Sequence, residues 1–77
     1  MNLDEIVQYV NEQSIKGDLA RELVGIISDY QAGTITALDK EQLINEVLAS
    51  FKAHGLAEDE ITMRWAVSAA SIAISVV

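Results

Sequence analysis

Apolar residues recur along this chain at the three-and-four spacing of one helical face. Leu3, Ile6, Val7 and Val10 form a first block, and Leu19, Leu23, Ile26, Ile27 and Tyr30 a second. Leu43, Ile44, Val47, Leu48 and Phe51 repeat the period, and a fourth block runs from Ile61 to Val77. The pattern predicts an all-α fold, a small bundle of about four short helices in a single domain spanning residues 1–77.

Capping residues set the expected boundaries. Asn2 and Glu5 have the spacing of a capping box, in which each side chain satisfies an unpaired backbone N–H, so helix 1 is expected to begin there. Gly17 suits a left-handed helix end, with Asp18 capping helix 2 and Glu22 favoured by the helix dipole; how far helix 1 runs toward Ile15 stays open. Gly33 is the expected stop of helix 2. Gly25, inside that helix, costs about 1 kcal/mol relative to Ala, and is read either as a close helix crossing or as an inert residue. Asp39 and Gln42 form a third start signal, flanked by Leu38 and Leu43 at hydrophobic-staple positions. Gly55 with Leu56 packing on Phe51 suits a Schellman ending, with His54 at the C-terminal cap. Glu58, Asp59 and Glu60 then crowd the positive end of helix 4.

Helix 4 carries two apolar stripes. Ile61, Trp65, Ala69, Ile72 and Val76 form one; Met63, Val67, Ala70, Ile74 and Val77 form the other. A helix apolar almost all round must be buried on most sides. Three other short helices are not expected to cover both stripes, so helix 4 is expected at the centre of a homo-oligomer, most simply a two-fold dimer, through Met63, Trp65, Val67, Ala70, Ile74 and Val77. Ala66, Ser68, Ala69, Ala70, Ser71, Ala73 and Ser75 would allow close backbone approach, with hydroxyls bonding back to helix carbonyls. The alternation Ser71-Ile72-Ala73-Ile74-Ser75-Val76 also suits a strand, the lesser alternative because no second such segment exists to pair with it.

Charge and composition narrow the partners. Twelve acidic against five basic residues give a net charge of −7, and Lys16, Arg21, Lys40, Lys52 and Arg64 are scattered. Phosphate backbones and anionic membranes are bound through basic clusters, so direct nucleic-acid and membrane binding are not expected. The 13 uncharged residues from Trp65 to Val77 fall short of a spanning helix, which needs roughly 20. The absence of Cys and the acidic first residues, unlike a secretory signal, point to the cytoplasm. With neither disulfide nor metal to staple 77 residues, good helix packing or oligomerisation must supply stability.

Candidate chemistry is sparse. The segment from Ser28 to Asp39 resembles the second half of an EF-hand loop at Gly33, Ile35 and Thr36, but Ser28, Tyr30 and Ala32 break the ligand set and Asp39 stands where a bidentate Glu belongs. A helix stop at Gly33 followed by a capped turn is the stronger account. His54 is the sole histidine, and no Cys can join it in a zinc site. Ser50, His54 and Glu58 have helical spacing, yet the expected helix end falls among them. Glu41 with Glu46, and Glu58 with Glu60, read as solvated charge. A pocket of about 300 Å³ would hollow out so small a core. No catalytic residue, metal or cofactor is therefore expected. Trp65 reads as a core or dimer anchor and Arg64 as an interface rim or a solvated charge.

The expected function is non-catalytic: a small acidic accessory or regulatory factor that binds itself and another protein. The alternative is an acidic inhibitor that mimics nucleic acid or occupies a basic groove, which requires its carboxylates to share one exposed face.

Overall fold

The computed structural model describes residues 2–53 and 60–77, and among these the chain forms four α-helices and no strand. They are α1 (Leu3–Val7), α2 (Ile15–Gln31), α3 (Ala37–Ala53) and α4 (Glu60–Ser75). Helices α2, α3 and α4 pack pairwise, and α1 lies against α2 and α4. The all-helical expectation holds, and the strand alternative for Ser71 to Val76 falls because α4 continues through Ser75.

The core follows the apolar periodicity. Ile6 enters from α1; Leu19, Ala20, Leu23 and Ile27 from α2; Ile44 and Phe51 from α3. Burying each large aliphatic or Phe side chain contributes about 1.5–3 kcal/mol. From α4 come only alanines, Ala66, Ala69, Ala70 and Ala73. Their short side chains let its backbone approach the other helices. The radius of gyration of 11.6 Å agrees with about 11.5 Å for a folded chain of this length.

The first boundary differs from expectation. Helix α1 starts as anticipated, with Asn2 Oδ1 accepting from the Glu5 N–H at 3.1 Å, but it ends at Val7. Ser14, not Asp18, caps α2, its Oγ accepting from the Gly17 N–H at 3.0 Å. Gly17 is therefore inside α2 rather than at the end of α1. The connecting turn crosses it so closely that a β-carbon would stand 1.9 Å from the Glu12 carbonyl oxygen. Close approach, not left-handed geometry, requires glycine here. Asp18 sits in the first turn and pairs with Arg21, whose guanidinium also donates to the carbonyls of Val10 and Glu12 at 2.8 and 3.1 Å. That one side chain fastens the turn to α2.

Gly33 does end the second helix, with φ of 79°. Its N–H donates to Tyr30 O at 3.1 Å, and the Thr34 N–H donates to Asp29 O at 2.9 Å. These are the two bonds of a Schellman motif. Gly25 is exposed, with nothing near a β-carbon built on it, so the close-crossing reading is overturned.

Thr36 caps α3 in place of Asp39. The Asp39 N–H donates to Thr36 Oγ1 at 3.1 Å, while the Thr36 N–H donates to Asp39 Oδ2 at 3.2 Å. Asp39 is thus the inner member of the box rather than its cap. The expected staple fails with it, because Leu38 is 63% exposed and Leu43 38%. The anticipated cap around His54, Gly55 and Leu56, and the acids Glu58 and Asp59, lie outside the described residues.

Helix α4 is not apolar all round. Glu60, Arg64, Ser68, Ser71 and Ser75 are exposed and, spaced by four, four, three and four, form one polar ridge. Glu60 and Arg64 pair on it, and Ser75 Oγ donates back to Ile72 O at 2.7 Å. The expected stripes become flanks beside the buried alanine face, with Ile61 still 76% exposed and Val67 41%.

Candidate protein-binding surfaces

The structure divides the six residues expected at an oligomer interface. Ala70 is 3% exposed and belongs to the core. The indole of Trp65 meets the Tyr9 ring edge-on, with centroids 5.1 Å apart and an interplanar angle of 68°. Lys16 Nζ lies 5.5 Å from the Tyr9 centroid and 5.7 Å from that of Trp65. This cation and two rings join α2, α4 and the turn after α1, so Trp65 is a packing anchor within the chain. Met63, Val67 and Ile74 share the opposite flank of α4, with Val67 its most exposed member, and Val77 lies beyond the helix, so that no helical register assigns it to that flank.

A second surface follows the seam between α2 and α3. Asp18, Glu22, Gly25 and Asp29 are all exposed on one stripe of α2, and Asp39, Leu43, Glu46 and Ser50 are all exposed on one stripe of α3. Asp18, Glu22 and Ser50 line a common concavity of about 420 Å³, together with Leu19, Val47 and Phe51. The concavity therefore lies between the two stripes at one end of the seam, where Asp18 and Glu22 face Ser50. Arg21 also lines the concavity, but it is engaged by Asp18 and the carbonyls of Val10 and Glu12. This space exceeds the size that the sequence left no room for. It lies on the surface between two helices, so it does not hollow out the core.

A residue missed by sequence reasoning is Lys40. It is 2% exposed in the first turn of α3, where its ammonium donates to Val76 O and lies 4.2 Å from the centroid of the Tyr30 ring. A cation beside the last carbonyls of α4 is favoured by that helix's dipole. The signal was its register: positions 40, 44, 47 and 51 share the buried face of α3.

Among the described residues, no group of three or more His, Cys, Asp or Glu side chains is placed to hold a metal ion. No helix among them is long and apolar enough to cross a membrane. Of the trio Ser50, His54 and Glu58, only Ser50 is among the described residues. Comparisons with protein-family models, curated proteins and solved structures returned no match.

Proposed function

We propose that this chain is a non-catalytic protein-interaction domain, a cytoplasmic accessory or regulatory factor that self-associates through the outer flank of α4 and binds another protein. The observation that supports self-association is the apolar flank of Met63, Val67 and Ile74, on which Val67 is 41% exposed and Met63 and Ile74 are half-buried. Side chains of this kind gain from burial against a second copy by about 25 cal/mol per Å² of apolar area. A two-fold arrangement sets the flank against itself. Molar mass measured across a concentration series tests it: a dimer supports the reading, and a monomer throughout overturns it.

The alternative, an acidic domain that engages a basic surface on its target, draws support from Asp18, Glu22, Asp29, Asp39 and Glu46 along one seam. Electrostatic complementarity of this kind speeds association and rejects like-charged partners.

A further inference from the structure

We infer that the α2–α3 groove is a docking site for a basic amphipathic helix from another protein. The inference rests on the protein-binding half of the function proposed above and is independent of self-association through α4.

The groove has the features that such a helix requires. Leu19, Val47 and Phe51 floor the concavity, which measures about 420 Å³. Leu43, 38% exposed, continues the apolar surface along the α3 stripe beyond the concavity. On the α2 stripe, Gly25 bares the backbone, with open space where a side chain would stand. A partner helix can settle its apolar stripe here in the helix-in-groove manner. Each of the two helices has 17 residues, so the seam runs for about 25 Å, the length of a partner helix of roughly four to five turns.

Charge selects the occupant. The two stripes carry five carboxylates and no basic residue; Asp18 is paired with Arg21, which also lines the concavity, and leaves Glu22, Asp29, Asp39 and Glu46 to meet the cations of a partner. A second copy of this chain, with its net charge of −7, is repelled from that rim, as is a nucleic acid. A helix with Lys or Arg on both sides of an apolar stripe meets acids on either wall and the apolar floor between them.

The test is a titration of the isotope-labelled full chain, followed by two-dimensional NMR. The probe is a synthetic 16-residue peptide of Lys and Leu with its leucines on one helical face. A second peptide of identical composition but scrambled order carries the same charge without that face. The patterned peptide is expected to shift amides along α2 and α3, centred on Glu22, Gly25, Leu43 and Glu46, and to bind more tightly than the scrambled one. Glu22→Gln with Glu46→Gln is expected to weaken binding by about tenfold at low salt, the sum of two exposed ion pairs. Gly25→Arg, which fills the open stripe and improves helix propensity, is expected to weaken it as well, without loss of fold. Equal binding of the scrambled peptide, shifts confined to α1 or α4, or full affinity in Gly25→Arg would each overturn the inference. Failure here leaves the dimer untouched, and a monomer by light scattering leaves this groove untouched.

Discussion

The ammonium of Lys40 donates to the main-chain carbonyl of Val76, 36 positions along the chain, and so ties the first turn of α3 to the end of α4. Lys40 is 2% exposed, and its partners are a carbonyl and the face of Tyr30. Lys40→Ala removes both the buried stem and the donor, and is expected to cost about 2–4 kcal/mol. Lys40→Met keeps most of the volume and is expected to cost about 1–2 kcal/mol. Urea denaturation measures both values, and amide exchange in the last turn of α4 is expected to quicken in each. Unchanged stability in Lys40→Ala would show that the contact contributes nothing.

Two glycines in one helix are expected to answer the same substitution with opposite signs. A β-carbon at Gly17 meets the Glu12 carbonyl, while at Gly25 it meets open space. Gly17→Ala is expected to destabilise the fold by about 1–3 kcal/mol, because the turn must move away. Gly25→Ala is expected to stabilise it by about 0.5–1 kcal/mol. Midpoints of thermal unfolding that move the same way for both variants would contradict this account of the first turn.

The reciprocal bonds between Thr36 and Asp39 predict coupled losses. Thr36→Ala is expected to cost about 1 kcal/mol. Asp39→Ala is expected to cost a similar amount, and the double variant less than the sum of the two, since each change already breaks the box. Additive losses in a denaturant-based mutant cycle would rule out the shared box.

Helix α4 is held close by its alanines, which sets a size limit. Ala66 is fully buried, whereas Ser68, two positions on, lies on the polar ridge. Ala66→Leu is expected to destabilise by about 1–3 kcal/mol through overpacking, and Ser68→Leu to stay within about 0.5 kcal/mol. A tolerated Ala66→Leu would mean that α4 packs loosely.

How much of this was legible depended on whether the cause was local. Leu19, Leu23, Ile27, Ile44 and Phe51 entered the core as their spacing foretold, because periodicity records which face a helix buries. Gly33 was readable because its requirement, a positive φ, belongs to its own backbone. Gly17 was misread because its requirement comes from a strand of backbone passing over it. Lys40 was hidden by its charge, although its register matched the buried face. In α4, the stripe residue Ile61 stayed exposed while the core took Ala66, Ala69, Ala70 and Ala73, small residues already legible as sites of close backbone approach, since closeness of helices selects small side chains over large ones. The acidic seam was equally out of reach, because it exists only once α2 and α3 lie side by side. Interface residues divided in the same way: Trp65 was claimed by Tyr9, a neighbour that spacing could not reveal.

Self-association through the outer flank of α4 is tested most directly by the absolute molar mass of the chain, from light scattering over a concentration series, beside that of Val67→Lys. Val67 is 41% exposed, so the lysine is tolerated by the protomer but not by an apolar interface. The account predicts a species of twice the 8.4 kDa chain mass for the unaltered protein and a shift to monomer for the variant. A monomer at every concentration, or a dimer indifferent to Val67→Lys, would contradict it.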